Sequence, residues 1–535
     1  MRLCSRMMLF QVVACVLQVM VVSVACSQDA PAQAGDEREL PRGYREIGPD
    51  KVEAIRELCQ ATADTGLFSG AVLVAVDGEV LYQEAFGLAN REWDVPNALD
   101  TKFRLASVSK QFCSMLALQL VQEGKLTLED PITKHLKYFR SDTGDRITIH
   151  HLLSHQSGIK DLTSSPDYQR VTSKLPFDQD EFIKLHCSGD LEHEPGTIYS
   201  YCNAGYIILG RIIEKVTHKS YEQNLNERIF QPLGMTNSGV DRNHRVLQHR
   251  ADGYTYGPFA IENADYIDMD SSPGPSGNVY STVGDMYLWD RALHTDALLN
   301  AELRKKMFTP NRSVPEVKAA GGRSQSIYGY GWQIVTRRHP VTQRRTKVVK
   351  HGGAIHGFRA MECRLVDDNA FVIVLCNLGD PMGGNAVWNT VVNLSNQLTD
   401  AVVDQPFRMP SRPRPTQEQR MYQIVKEQGV EAAVEWFNEN GKPARWGGSY
   451  QAVAKQLLKE QYVEEGLRLM TLDVEAAPSK VWLIRQAARA SLENGRYEQA
   501  AKFIEMGQKI RPDDERFESM RREVETSRGS GLESK

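Results

Sequence analysis

Two β-hairpin patterns that lie far apart in the chain constrain the fold most strongly. The first joins an apolar run at 70–76 to a second strand pattern at 79–83 across Asp77-Gly78. The second joins strand patterns at 358–366 and 370–377. An Asp-Gly pair between two β-rich runs is typical of a tight hairpin. Because helical patterns fill the chain between the hairpins, we expect one antiparallel sheet closed by distant segments, flanked by helices and an all-helical subdomain.

A different organisation begins after a proline-rich stretch at 406–418, which we interpret as a linker. Beyond it strand patterns end, and the residues that favour helices predominate. Ala432, Gly466 and Ala500 recur at a spacing of 34 residues, which is the period of tetratricopeptide repeats. We therefore predict α-helical repeats at 419–528 that offer a surface to a protein partner. A plain helical bundle is the alternative.

The first residues of the chain predict export. Residues 1–25 combine two arginines, an apolar run and a small-residue cleavage site before Cys26, as secretory signal peptides do. A retained membrane anchor is the alternative, and Cys26 is a candidate for lipidation. We expect a protein of the periplasm or cell envelope, lipid-anchored there, or secreted. A polar leader at 26–45 then precedes the first folded domain, predicted at 46–405.

Composition argues against several classes of function. The formal net charge is −4, and no basic block points to a nucleic-acid partner. The nine cysteines show no metal-ligand spacing and are too sparse for a disulfide scaffold. We therefore expect no metal, no organic cofactor and mostly buried thiols. Beyond the N-terminal run, the sequence has no segment that is long and apolar enough to span a bilayer.

Two Ser-x-x-Lys patterns provide candidate nucleophiles: Ser107 with Lys110, and Ser157 with Lys160. A serine hydroxyl needs a base beside it, and residues three apart on a helix share a face. A desolvated lysine can lose its charge and act as that base, and a helix N-terminus favours a developing oxyanion. For Ser107 the alternative is a helix N-cap with Lys110 in solvent. The pattern alone does not choose between the pairs.

Two further motifs carry polar groups suited to acyl transfer. Tyr201 can share or relay a proton, and the Asn203 amide offers two donors and an acceptor. Later in the chain, the glycines between His351 and Ala354 leave the backbone open to a ligand. The N–H of Ala354 could therefore face a reacting carbonyl. The alternatives are a packed core aromatic for Tyr201, a loop-capping amide for Asn203 and a structural imidazole for His351.

Together, the three motifs resemble those of the serine β-lactamase and penicillin-binding protein superfamily, specifically its class C β-lactamase and D,D-peptidase branch. The resemblance spans roughly residues 52–378 and implies a β-lactamase-like fold of the α+β class. It selects Ser107 over Ser157 as nucleophile, with Lys110 and Tyr201 sharing the removal of its proton. The implied site residues are the catalytic Ser107, Lys110 and Tyr201 and the substrate-binding Asn203, His351, Gly353 and Ala354.

The third motif departs from the pattern of many family members, which carry Lys-Thr-Gly where this chain has His351-Gly352-Gly353. Lysine is a cation that attracts a substrate carboxylate, whereas histidine is mostly neutral near pH 7. The resemblance therefore implies a secreted serine hydrolase that acts through an acyl-enzyme on D-amino-acid peptides or small esters, like a D,D-carboxypeptidase or esterase. The alternatives are a β-lactamase, a transacylase, or a catalytically idle penicillin-recognising scaffold that binds partners through its helical repeats.

Overall fold

The computed structural model describes residues 40–271, 274–311, 326–381, 384–444 and 448–530. The predicted signal peptide at 1–25 and the candidate lipidation site Cys26 lie outside these residues. Among the described residues, no helix combines the length and the apolar character needed to cross a membrane.

A seven-stranded antiparallel sheet forms the centre of the first part of the chain. Its strand Gly70–Val76 lies between Ala370–Cys376 and Glu79–Phe86, with Gly70 opposite Cys376. The two distant hairpins therefore close one sheet, and the predicted fold class is confirmed. In spatial order the strands are Ser326–Tyr328, Gln333–Arg338, Arg345–Ile355, Phe358–Leu365, Ala370–Cys376, Gly70–Val76 and Glu79–Phe86.

Both faces of this sheet are covered. Alternate residues of Gly70–Val76 face two different hydrophobic cores. One core is completed by helices Lys51–Ala63 and Ala386–Val402, and the other by helices Lys110–Gln122 and Asn203–Thr217. A strand buried on both faces needs apolar side chains at every position, which explains why this segment is a continuous apolar run rather than an alternating one.

Most of the helical layer is inserted between the strands that end at Phe86 and begin at Ser326. Its helices are Lys110–Gln122, Ile132–His135, Ser141–Gly144, Ile149–Leu153, Pro166–Arg170, Gln179–Phe182, Asn203–Thr217, Tyr221–Leu225, Gln231–Leu233, Val283–Ala292 and Ala301–Met307. Short strands brace the layer: Leu88–Asn90 with Val95–Pro96, Phe103–Arg104 and Gly239–Val240 with Val279–Ser281, and Tyr254–Tyr256 with Ile261–Asn263 and Leu378–Gly379. A further pair, Tyr44–Arg45 with Phe407–Arg408, joins the two ends of the domain.

The described cysteines are buried thiols. Cys59, Cys113, Cys187, Cys202, Cys363 and Cys376 are all free and buried, as expected from their sparse spacing. The apolar surroundings suit a small, weakly polar side chain.

The C-terminal region is helical throughout its described part. Its helices are Gln417–Gln428, Val430–Asn440, Gln451–Lys459, Val463–Ala476, Val481–Glu493, Tyr497–Ile510 and Glu515–Ser530, and they share one core. A Cβ at Gly466 would lie 2.6 Å from the Leu458 side chain, so a small residue is required where two of these helices meet. The predicted helical character is confirmed, whereas the assignment to tetratricopeptide repeats stays a prediction.

The C-terminal helices contact the first domain at one hairpin. This hairpin, at 254–263, consists of the strands Tyr254–Tyr256 and Ile261–Asn263 and their turn. In the turn, the Phe259 ring lies 5.0 Å from the Tyr422 ring, centroid to centroid. Beside it, Lys459 Nζ lies 2.7 Å from Glu262 Oε1. The hairpin is therefore held by an apolar and a charged contact from the helices beyond the linker.

Candidate active site

The first Ser-x-x-Lys pair adopts the geometry of a nucleophile and its base. Ser107 lies in the 3-10 turn Ala106–Ser109, which leads directly into helix Lys110–Gln122. Lys110 Nζ is 3.1 Å from Ser107 Oγ. Burial lowers the pKa of the Lys110 amine to about 7, although the nearby Asp161 carboxylate opposes the shift. A large fraction of this amine is therefore neutral near pH 7.

The remaining partners of Lys110 define where its lone pair points. Lys110 Nζ lies 2.8 Å from Asn203 Oδ1 and 2.9 Å from the backbone carbonyl of Ser276. Both oxygens accept hydrogen bonds only, so they take the two N–H groups of a neutral amine. The Ser107 hydroxyl is then the partner for the nitrogen lone pair.

Asn203 is held by two side chains that the sequence analysis did not single out. It is the first residue of helix Asn203–Thr217. Its Nδ2 donates to Thr163 Oγ1 at 3.0 Å and to Asp161 Oδ2 at 3.3 Å. Because a carboxylate can only accept, Asp161 fixes the Asn203 amide with its NH₂ group toward Asp161 and its oxygen toward Lys110. The one available signal was the position of Asp161, just after the second Ser-x-x-Lys pattern.

Tyr201 lies against the buried amine. The centre of its ring is 4.9 Å from Lys110 Nζ. Burial raises the pKa of the Tyr201 phenol well above its ordinary value, although a hydrogen bond with Ser107 opposes the shift. The phenol is thus protonated at neutral pH, and it can donate a proton but cannot begin as a phenolate base.

His155 holds the segment that carries Tyr201 and Asn203. It is buried with a φ of +57°, and its Nδ1 accepts the N–H of Cys202 at 3.1 Å. Its ring lies 4.3 Å from the Tyr201 ring, centroid to centroid. His155 therefore positions both neighbours of Cys202 through a backbone hydrogen bond and ring packing.

His351 is neutral and has a protein partner on each ring nitrogen. Nδ1 is 2.7 Å from the Gly352 carbonyl, and Nε2 is 2.9 Å from the Tyr328 hydroxyl. Since the carbonyl can only accept, Nδ1 carries the proton and Nε2 accepts from Tyr328. Burial, reinforced by the Lys110 charge, lowers the pKa of His351 to about 3. This imidazole carries no positive charge at neutral pH.

Gly353 allows the strand Arg345–Ile355 to pack closely against the chain at Leu105, just before the turn Ala106–Ser109 that carries Ser107. A Cβ at this position would lie 2.1 Å from the Leu105 carbonyl oxygen. Pairing between Arg345–Ile355 and the neighbouring strand Gln333–Arg338 ends at Lys350, which leaves the end of the strand free on that side. Ala354 lies in this stretch, which is paired on its other side only, with Arg359 opposite Ala354, and it lines the same cleft as Ser107.

Replacing Gly353 with alanine is expected to slow acyl-enzyme formation about 100-fold, since a displacement of about 1 Å at a reacting centre has an effect of that size. The new methyl group must push the strand away from the Leu105 carbonyl. Pre-steady-state release of nitrophenol from an activated ester measures the rate. Gly189→Ala is the control, because a Cβ there meets nothing within 4 Å. An unchanged rate in a folded Gly353→Ala protein would contradict this account of the strand.

The Ser107 cleft has a volume of about 580 Å³. Ser107, Asn203 and Ala354 line it, whereas Lys110 and His351 are buried, with at most 2% of their surface exposed. The structure therefore brings the predicted residues together in two layers, one lining the cleft and one behind it.

The second Ser-x-x-Lys pattern has a different environment. Ser157 is buried and its hydroxyl accepts the N–H of Ile159 at 3.3 Å. Lys160 is exposed. This serine has no buried amine from Lys160 beside it, so the pattern does not form a nucleophile and base.

Comparison with known families assigns the domain that contains the cleft. Residues 54–397, more than half of the chain, match the family described as Beta-lactamase. The chain belongs to the β-lactamase family. The match ends before the C-terminal helices, which begin at Gln417. The superfamily expected from the sequence motifs is confirmed.

Individual relatives and structures agree with this family assignment. Penicillin-binding protein 4* of Bacillus subtilis (strain 168) is 28% identical over 377 residues, which cover 68% of this chain and 79% of that protein. The crystal structure of a penicillin binding protein from Bacillus halodurans is 26% identical, covers 63% of this chain and 98% of its own, and superposes with a TM-score of 0.53. A D-amino acid amidase from Ochrobactrum anthropi SV3, at 24% identity, shares the fold with a TM-score of 0.55 over 66% of this chain and 96% of its own.

Proposed function

We propose that this β-lactamase family member is an exported serine hydrolase that cleaves D-amino-acid peptides or small esters through an acyl-enzyme on Ser107. The observation that carries the proposal is the buried amine of Lys110, 3.1 Å from Ser107 Oγ, with its pKa lowered to about 7. A base with a pKa near the working pH is the most effective proton acceptor.

The reaction begins with proton transfer from Ser107 to Lys110. The serine oxygen attacks the substrate carbonyl, and the backbone N–H groups of Ser107 and Ala354 stabilise the oxyanion. When the tetrahedral intermediate collapses, the bond to the leaving group breaks. The leaving group then takes the proton of Lys110 through the hydroxyl of Tyr201, whose raised pKa keeps it a phenol. Water adds to the acyl-enzyme, its proton returns to Ser107, and the acid product departs.

The neutral third motif supports a peptidase or esterase over an efficient β-lactamase. His351 carries no charge near pH 7, so it offers a substrate carboxylate no ion pair. Among the charged residues that line the cleft, Arg359 is already paired with Asp380 at 3.1 Å. The lining carboxylates Glu262 and Asp265 are paired with Lys459 and Lys174. A penicillin, which bears a carboxylate, should therefore acylate Ser107 slowly.

Three parts of the proposal lie outside the cleft. Export rests on the signal-peptide pattern at 1–25, and anchoring rests on Cys26. The 34-residue spacing of small residues in the C-terminal helices supports tetratricopeptide-like repeats that bind a protein partner.

Intact-protein mass spectrometry tests the enzymatic proposal. The protein is incubated in turn with a nitrophenyl ester, a D-amino-acid ester and a penicillin. We expect an acyl adduct on Ser107 from the first two, and a slowly formed one from the penicillin. The Ser107→Ala variant should form none, whereas the control Ser157→Ala should react like the parent. The absence of an adduct with all three acyl donors would refute the proposal.

A further inference from the structure

A second groove lies next to the Ser107 cleft. It has a volume of about 410 Å³, and we call it the distal groove. It shares the lining residues Asn263, Asp265, Ile267 and His356 with the cleft. Its further lining residues include Asn90, Glu92, Trp93, Arg104, Asp252 and Tyr266. The two cavities are therefore adjacent and meet at these four shared residues.

Trp93 is unusually exposed for a large aromatic residue. Its exposed fraction is 81%, and Tyr266, which lines the same groove, is 54% exposed. The loop that carries Trp93 is nevertheless held in place, because the backbone N–H of Trp93 donates to Asn90 Oδ1 at 2.7 Å. Asn90 Nδ2 in turn donates to Asp252 Oδ2 at 2.6 Å. The backbone that carries Trp93 is thus linked to Asp252 through Asn90, while the Trp93 side chain remains exposed.

The charges beside Trp93 are negative, and their hydrogen-bond partners are neutral donors. Among the described residues, neither Glu92 nor Asp252 forms an ion pair, and both are exposed. A hydrogen bond from the Tyr254 hydroxyl lowers the pKa of Glu92, so this carboxyl is ionised near neutral pH. Asp265, at the junction with the cleft, forms an ion pair with Lys174 at 3.4 Å.

The positive groups that line the distal groove do not balance these carboxylates. Arg104 Nε is 2.6 Å from Asp241 Oδ2, a buried carboxylate outside the groove that Arg250 also contacts at 3.1 Å. This leaves Arg104 partly neutralised, against the three carboxylates of Glu92, Asp252 and Asp265 in the groove lining. His356 also lines the groove, but burial lowers its pKa, so the imidazole is neutral near pH 7. Its ring nitrogens face Asp265 O and Gln169 Oε1. The groove therefore offers an aromatic face and unneutralised negative charge, the two features that attract an organic cation.

We propose that the distal groove selects substrates that carry an ammonium group several bonds away from the reacting carbonyl, with Trp93 as the specificity-determining residue. The ammonium lies over the indole, and Glu92 and Asp252 supply the opposite charge. This inference rests on the proposed acyl-enzyme function, because it concerns the remote part of the same substrate. A preference for cationic substrates also agrees with the third motif, where neutral His351 stands in place of the lysine that would attract an anionic substrate.

Matched ester pairs test the inference. One pair is the nitrophenyl ester of aminohexanoic acid and of its N-acetyl derivative; the other is the aminopentyl ester of butanoic acid and of its N-acetyl derivative. In at least one pair we expect kcat/KM to favour the ammonium form about tenfold, the size of a partly desolvated cation–π contact. The pair that shows the preference also identifies whether the acyl or the alcohol part occupies the groove.

Variants assign the preference to the groove. Trp93→Ala should remove most of it by lowering kcat/KM of the ammonium esters more than that of their N-acetyl partners, and Trp93→Phe should retain part of it. Glu92→Gln and Asp252→Asn should reduce it and weaken its dependence on salt. Val246→Ala is the control, since Val246 is 95% exposed and does not line the groove.

Each outcome separates the inference from the function on which it rests. Turnover of all four esters on Ser107 without an ammonium preference would overturn the inference and leave the hydrolase standing. A preference that Trp93→Ala does not change would also overturn it, as would a Trp93-dependent preference for the N-acetyl forms. Failure of every ester to acylate Ser107 would refute the proposed function itself.

Discussion

Replacing Lys110 with methionine should lower the rate of Ser107 acylation about 10³-fold, which lies within the range expected for loss of a general base. Methionine keeps the length and much of the volume of the side chain but removes the amine. The Ser107 proton then loses the acceptor 3.1 Å from its oxygen. Pre-steady-state kinetics with a nitrophenyl ester measure the rate, and a thermal melt verifies that the variant is folded.

The parent enzyme should also show the titration of this amine. Only neutral Lys110 can accept the Ser107 proton, and its pKa is lowered to about 7. The acylation rate should therefore rise with pH, about tenfold per unit below pH 7, and level off above about pH 8. An unperturbed lysine would place the midpoint more than three units higher, near 10.4.

The chain supplies a matched control in its second Ser-x-x-Lys pattern. Lys160 is exposed, so Lys160→Met should leave both the rate and its pH profile unchanged. Acylation by folded Lys110→Met at more than about a tenth of the parent rate would contradict the assignment of the base, because even weak general-base catalysis contributes more than that.

Replacing Glu362 with glutamine should raise the free energy of unfolding by about 3 kcal/mol at pH 7, since each pKa unit corresponds to about 1.4 kcal/mol. Glu362 is fully buried in the strand opposite His351 and accepts a hydrogen bond from Gln111 Nε2 at 2.5 Å. Its other carboxyl oxygen has no hydrogen-bond partner among the described residues. Burial raises the pKa of this carboxyl to about 8, and the neighbouring Asp290 raises it further while Gln111 and Arg364 oppose the shift.

The sign of the effect follows from the protons bound by each state. Between the ordinary pKa of glutamate, about 4.3, and the folded value of about 8, the folded protein holds a proton on Glu362 that the unfolded chain releases. The parent therefore loses stability as pH rises through this range, while the glutamine variant avoids that loss. The advantage of the variant should vanish near pH 4.5 and increase up to about pH 8.

Urea unfolding of both proteins at pH 5, 7 and 8 measures this difference. Glu79→Gln is the control, because Glu79 is an exposed glutamate of the same sheet. A stability difference between parent and Glu362→Gln that stays constant across the three pH values would contradict the assignment of a protonated buried carboxyl.

The central architecture could be predicted from sequence because its signals are local. Apolar runs such as 70–76, turn residues between them and intervening helical patterns identify each element by itself. The closing of distant hairpins into one sheet follows from the rule that exposed strand edges and apolar faces must be covered. The contact of the C-terminal helices with the 254–263 hairpin could not be predicted, because it depends on one aromatic pair and one ion pair between residues that are far apart in the chain.

The sequence motifs named the candidate site residues, but of the contacts between them only the innermost one could be predicted. The spacing of Ser107 and Lys110 already implies contact within one turn, whereas the partners of Asn203 and His351 come from remote loops and strands. Asp161 and Tyr328 have side chains that occur throughout the sequence, and only the tertiary structure places them on these two groups. The pKa of Lys110 was likewise inaccessible from spacing, because its main cause is burial by many distant side chains.

The hairpin at 254–263 connects the helices beyond the linker to the Ser107 cleft. The hairpin contributes Thr255, Glu262 and Asn263 to the wall of the Ser107 cleft. The C-terminal helices contact the same hairpin at Phe259 and Glu262. One wall of the cleft, itself inside the family match, is thus supported by a region outside that match. If the proposed protein partner displaced those helices, we expect it to alter the affinity of the cleft for the proposed substrate, and by thermodynamic reciprocity the substrate would alter the affinity for that partner by the same factor.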